Sequence, residues 1–175
     1  MLILNSKYNA LFSSEARYFI MTGGRGSGKS FAATVFLTLL TMTKGIRILF
    51  TRYTMTSAHL SIIPEFLEKI GLLGFDDVFN INKAEVLNTS NQSDILFRGI
   101  KTSAGNQTGN LKSLQGISCW VLDEAEELID EDIFDTIDLS IREKDVQNRI
   151  ILILNPVTKE HWIYKRFFED KGVEA

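Results

Sequence analysis

With 175 residues, 45% hydrophobic and 23% charged, the chain is sized for one domain with an ordinary core. Its single cysteine, Cys119, excludes an internal disulfide and a cysteine-based zinc site; a small hydrophobe in a core strand, in a reducing cytosol, is the expected role. The formal net charge of −3 hides an uneven division, with seven Lys/Arg against one acid in residues 1–60 and eleven Asp/Glu against two basic residues in 121–145, so nucleic-acid binding stays open. The apolar run from Phe31 to Met42 is too short for a bilayer span of ~20 residues, and the N-terminus lacks the pattern of a secretion signal.

In chain order, runs of β-formers alternate with helical patterns, as in an α/β domain with a mainly parallel sheet. The first strand is expected at Tyr18–Thr22. It runs directly into Gly23-Gly-Arg-Gly-Ser-Gly-Lys-Ser30, which fits G-x-x-x-x-G-K-[ST] with Gly23, Gly28, Lys29 and Ser30 in the fixed places. A helix follows over Gly28–Thr43. Such a strand–loop–helix turns backbone N–H groups and a helix N-terminus toward one point, which attracts phosphate oxygens. Gly24, Arg25, Gly26 and Ser27 complete this nucleotide-binding loop. Lys29 brings a mobile positive charge, and the Ser30 hydroxyl can ligate Mg2+.

The next strand is expected at Ile46–Thr51, then a helix over Ser57–Ile70 with Ile62, Phe66, Leu67 and Ile70 on one face. A short hairpin around Val78–Leu87 turns at Asn82-Lys83. Further strands are expected at Ile95–Gly99, Ser118–Leu122 and Ile150–Leu154, and further helices at Asp130–Ile141 and His161–Phe168. Three of the strands are continuous apolar runs, as strands covered on both faces should be. Thr102–Asn110 carries one alanine as its only apolar anchor and reads as a mobile loop, either touching ligand or plain surface.

Ser118-Cys-Trp-Val-Leu-Asp-Glu124 is an apolar strand ending in two adjacent carboxylates, the form of a Walker B element. Beside a phosphate loop, Asp123 can hold the metal shell through water while Glu124 polarises an attacking water, which argues for hydrolysis of a γ-phosphate. The competing reading is an acidic helix start favoured by the macrodipole. A GTPase reading fails, because Asn82-Lys-Ala-Glu85 ends in Glu and precedes the Walker B strand, and because the third residue after Asp123 is Glu126 rather than Gly; ATP is the better nucleotide. At the end of the Ile150–Leu154 strand, Asn155-Pro156 either reads the γ-phosphate or simply turns the chain.

Together these residues resemble the ATPase domain of the large terminase subunit of tailed bacteriophages. The resemblance rests on Gly23–Ser30, on Ile100-Lys101 followed by Leu111-Lys-Ser-Leu-Gln-Gly116, on Cys119–Glu126 and on Leu154-Asn-Pro156, in that order over essentially the whole chain. It implies an α/β fold of the P-loop NTPase kind (RecA-like, ASCE type), with a mainly parallel central sheet flanked by helices. It implies Mg2+ and ATP as cofactors, with Lys29 and Ser30 on the phosphates and metal, and Asp123 completing the metal shell. Glu124 would be the catalytic carboxylate, Arg25 a stabiliser of transition-state charge in cis or a signal across the ring, and Asn155 the coupling residue. Arg52 sits where the family carries a motif associated with DNA or subunit contacts, and Arg52 and Lys101 are candidate contacts to DNA phosphates. Lys112 and Arg142 compete as the residue supplied to a neighbouring subunit, and Tyr8 and Tyr18 are candidates for stacking on adenine, although each could equally be a core or rim aromatic.

The resemblance further implies translocation of double-stranded DNA into a procapsid by a ring of copies, with the portal protein and small terminase subunit as partners. The chain alone would be monomeric, in the cytoplasm of an infected bacterial host and without membrane contact. The nuclease domain that continues the family's large subunit is expected to be missing from these 175 residues, a single ATPase domain, and no DNA cleavage is expected. The rival readings are another P-loop translocase or helicase-like ATPase, a small-molecule P-loop kinase and a nucleotide-toggled binding module.

Overall fold

The computed structural model describes residues 3–55, 58–102, 105–106, 111 and 113–169. Its eight strands are β1 (Tyr18–Thr22), β2 (Arg47–Thr54), β3 (Phe79–Ile81), β4 (Glu85–Asn88), β5 (Asp94–Thr102), β6 (Gly105–Asn106), β7 (Ile117–Asp123) and β8 (Arg149–Leu154). They form one sheet in the order β1-β8-β7-β2-β5-β4-β3, with β6 folded back on the end of β5. Strands β1, β8, β7, β2 and β5 are parallel, and β3, β4 and β6 are antiparallel additions. The hairpin expected from Asn82-Lys83 therefore exists and also extends the sheet, because β4 pairs with β5.

Alternation along the central strands divides the apolar side chains between two cores. On one face Phe50, Phe97, Val121 and Ile151 pack with Ala33 and Phe36 of helix α2 (Lys29–Leu40) and with Ile62, Phe66 and Ile70 of α3 (Ala58–Leu73). On the other, Leu49, Trp120, Leu122 and Leu152 meet Phe134 and Ile137 of α4 (Glu131–Asp138) and Trp162 and Ile163 of α5 (Trp162–Tyr164). Every residue of β7 is buried, as its continuous apolar run requires. Cys119 lies in this strand, and burial pushes its thiol pKa up to about 12. A buried hydrogen-bond chain fixes β2 against β7: Trp120 Nε1 donates to Thr51 Oγ1, and Thr51 Oγ1 donates to the carbonyl of Val121.

The structure differs from the sequence reading at several points. Leu67 leaves the buried face of α3 and is 48% exposed, while Ile62, Phe66 and Ile70 stay inside. Helix α4 stops at Asp138 instead of Ile141, where the Asp138 carboxylate accepts from Arg17 and Tyr18 and the chain closes into turns. The expected last helix is one short turn, α5, running into a π-helix over Lys165–Glu169. Before β1, the unforeseen short helices Ser6–Tyr8 and α1 (Ala10–Ser13) lay Tyr8 and Leu11 onto the first core. Most of the Thr102–Asn110 loop lies outside the described residues. No helix is long and apolar enough to cross a membrane, among the described residues.

Candidate nucleotide-binding site

A cavity of about 390 Å³ opens where β1, β8, β7 and β2 end, bounded by the loop of residues 25–30, Arg52, Asp123, Glu124, Glu126 and Asn155. Position follows from topology. Ligands of parallel α/β sheets bind beyond the carboxyl ends of the strands, and the registers Thr22↔Leu154 and Ile153↔Asp123 bring three strand ends level.

The loop side is built by backbone conformation. Gly26 and Gly28 have φ of +75° and +86°, a region an L side chain enters only under strain, and Gly28 is the residue from which α2 starts. Lys29 is only 9% exposed; its ammonium donates to the carbonyls of Gly23 and Gly24 (3.0 Å for Gly24) and to Ser27 Oγ (3.3 Å). The loop is braced from behind, where Tyr8 Oη and Lys7 Nζ both donate to the Ser27 carbonyl at 2.8 and 3.3 Å. Arg25 lies exposed at the cavity mouth.

The opposite wall is charged and tightly paired. Asp123, the last residue of β7, is 6% exposed and accepts from Arg52 Nε (2.8 Å) and Nη2 (2.6 Å), both on Oδ2. Arg52 Nε also lies 3.6 Å from Glu124 Oε2. Burial works against the Arg52 charge, but attraction to Asp123 and Glu124 outweighs it and raises its pKa. Glu124 has φ +53° and ψ +44°, a left-handed conformation uncommon outside glycine that aims its half-exposed carboxylate into the cavity. Its pKa is raised, first by burial, with Arg52 opposing and Asp123 reinforcing the shift. A carboxylate moved upward in this way is a better proton acceptor near neutral pH.

The third element is Asn155, one residue past β8. Its Nδ2 donates to Glu126 Oε1 at 2.6 Å, and Glu126 Oε2 is buried with no hydrogen-bond partner among the described residues. The donor set suits magnesium: the Ser30 hydroxyl and the Asp123 carboxylate line one cavity, whereas no three His, Cys, Asp or Glu form an all-protein cage among the described residues. Magnesium usually keeps waters and phosphate oxygens around one or two protein ligands.

The structure thus brings Arg25, Lys29, Ser30, Asp123, Glu124 and Asn155 to one cavity. It adds Arg52, read from sequence as a DNA contact but engaged here with the two carboxylates, and Glu126, singled out by sequence only as an argument against a GTPase. The signal that sequence offered for Arg52 was its place directly after the apolar run of an expected strand. Tyr18 is not brought to the site: it opens β1 at the far end of the strand, and its Oη donates to Asp138 at 2.7 Å. Tyr8 is near the loop but packs into the core and braces it. Lys101 is exposed near the end of β5, 5.7 Å from the Tyr53 ring. Arg142 is exposed beside Gly116 and Ile117, at the opposite end of β7 from the cavity. Lys112 lies outside the described residues.

Residues 15–175 match the family described as phage terminase large subunit. No curated protein matches the chain in sequence. Among solved structures it is similar to the large terminase of a thermophilic bacteriophage, with a TM-score of 0.75 at 11% identity over 98% of this chain and 44% of that one. It is also similar to the large terminase ATPase domain of Thermus phage P74-26, with a TM-score of 0.67 at 20% identity over 93% of this chain and 68% of that one. A chain of the bacteriophage Phi-29 genome packaging motor assembly gives a TM-score of 0.67 at 14% identity over 100% of this chain and 52% of that one. The first of these, the thermophilic-phage terminase, has been solved with ADP and with ATP-gamma-S. The chain spans less than half the length of that protein.

Proposed function

Because the chain belongs to the phage terminase large subunit family, we propose that it is the ATP-hydrolysing motor part of such a subunit, coupling ATP + H2O → ADP + phosphate to movement of double-stranded DNA. The observation that carries the reading is Glu124 beside Asp123 across one cavity from Lys29 and Ser30. The nucleotide complexes of the thermophilic-phage terminase support ATP as the ligand, and the Phi-29 assembly supports action within a multi-subunit motor.

In this reading Lys29 leaves the carbonyls of Gly23 and Gly24 for the β- and γ-phosphates, an exchange its mobile stem permits. Ser30 and Asp123 would hold Mg2+, which would supply positive charge against the negative charge developing on the phosphates. Glu124 orients the attacking water and accepts its proton. Arg52 neutralises part of the paired negative charge of Asp123 and Glu124, and Arg25, at the cavity mouth, faces the charge that spreads over the γ-phosphate oxygens. Asn155 reports on the γ-phosphate through its bond to Glu126. The further partners are the portal protein, the small terminase subunit and copies of the chain in a ring, in the cytoplasm of the infected host.

The test is Glu124→Gln. It should retain ATP binding and lose turnover by about 10²–10⁴-fold, the usual worth of a general base; ATPase activity within twofold of the parent would refute the assignment. Binding to double-stranded DNA should weaken steeply between low and moderate salt. Salt-independent affinity would remove the DNA-motor part of the proposal and leave the ATPase part standing.

A further inference from the structure

Glu124 owes its position to the turn that follows it. Its left-handed backbone is a conformation that surroundings must enforce, and the 3-10 turn Ala125–Glu127 is closed by two local bonds, Glu127 N to Glu124 O at 2.9 Å and Leu128 N to Ala125 O at 3.2 Å. Ala125 and Leu128 are buried in the second core and Arg52 lies 3.6 Å from the Glu124 carboxylate; further hydrogen bonds to the turn come from residues 155–162. Asn155 holds the Glu126 side chain, His161 Nε2 contacts the Glu126 carbonyl at 3.2 Å, and Trp162 Nε1 donates to the Leu128 carbonyl at 2.5 Å.

His161 is bonded on both ring nitrogens. Ile163 N donates to Nδ1 at 3.2 Å, so Nδ1 is the acceptor that caps α5 and Nε2 carries the proton given to Glu126. One ring therefore joins the turn bearing Glu124 to the start of the last helical segment. The other end of that segment is clasped to α4 by Arg166, which donates to Glu131 Oε1 (2.9 Å) and Asp135 Oδ1 (2.6 Å).

We infer that His161 is a positioning residue for Glu124: its Nε2–H fixes the Glu126 carbonyl, and through it the catalytic turn, so that turnover depends on how the segment from His161 to Glu169 is seated. The inference rests on the reading of Glu124 as the base. A merely structural histidine would matter through its helix cap, on Nδ1; a positioning one matters through Nε2.

Two substitutions separate these roles, since an asparagine amide reaches where Nδ1 stands and a glutamine amide where Nε2 stands. His161→Asn should keep the cap and lower kcat about tenfold, with KM and the affinity for a fluorescent ADP analogue unchanged, because a small misplacement of a catalytic group costs at least this much. His161→Gln should restore kcat to within about twofold of the parent while lowering the melting temperature. Trp162→Phe keeps an aromatic ring, smaller than the indole, but removes the donor to Leu128, and should lower kcat severalfold at unchanged nucleotide affinity. The inference is overturned if His161→Asn turns over like the parent, or if His161→Gln is as slow as His161→Asn. Should both asparagine and glutamine variants melt too low to assay, a parent-like kcat in Trp162→Phe overturns it alone. Loss of turnover in Glu124→Gln alongside normal turnover in His161→Asn defeats only this inference, whereas full activity in Glu124→Gln defeats the functional reading beneath it.

Discussion

Strand β2 carries an arginine–aspartate pair at its start and another near its end, and the two pairs differ in what they leave unfinished. At the start, Arg47 grips Asp94, its register partner on β5, with Nε at 3.1 Å from both carboxylate oxygens and Nη2 at 2.9 Å from Oδ2. Both oxygens are used, and the pair ties together the starts of two interior strands. Near the end, Arg52 reaches across to β7 and places both donors on a single oxygen of Asp123, with Glu124 3.6 Å from the same guanidinium. The residue types are the same, but at the cavity the pairing is incomplete: two carboxylates share one arginine. A closed fork stabilises a fold, whereas an open one leaves acceptors for ligands.

That contrast can be tested by exchanging each arginine for a neutral side chain. Arg52→Gln should lower ATP turnover on the order of tenfold, because the two carboxylates are left to repel each other where charge must be organised; unchanged steady-state turnover would place Arg52 with Arg47 as architecture. Arg47→Gln should leave kcat alone and lower unfolding free energy by about 1–3 kcal/mol in chemical denaturation, less than a fully buried broken pair because Arg47 is itself part-exposed. A smaller effect distinguishes the ends by pH. The folded-state pKa of Glu124 is raised, so its contribution to stability is full below the ordinary glutamate range and is lost as pH rises through the folded value. Glu124→Gln should accordingly melt slightly higher than the parent at neutral pH, by ~1 °C, with the difference vanishing near pH 4. A gain that persists in acid would assign it to something other than ionisation.

Much of the frame was legible because it is local. The phosphate loop is a contiguous spacing, the Walker B strand is an apolar run with acids at its tip, and the parallel strands announce themselves as uninterrupted β-formers. Cys119 and the Asn82-Lys83 hairpin were equally readable. What stayed hidden joins distant stretches. Nothing periodic links Arg52 to Asp123, Tyr8 to the Ser27 carbonyl, or His161 to Glu126; each contact exists only once the strands are ordered and their ends are level. Tyr18 shows the converse, since proximity in sequence to the phosphate loop suggested a ligand contact while the length of β1 carries its ring to the opposite end.

The position of β8 has a consequence for how the protein is made. Among the described residues, the first strand, β1, pairs only with the last, β8. On a ribosome, where chains emerge from the N-terminus, residues 18–22 must therefore wait for residues 150–154 before they find a partner. Closing so long a span is slow because loop entropy is lost before the contacts form. The phosphate loop hangs from β1, so it is framed late, and a nascent chain lacking β8 should neither bind nor consume nucleotide.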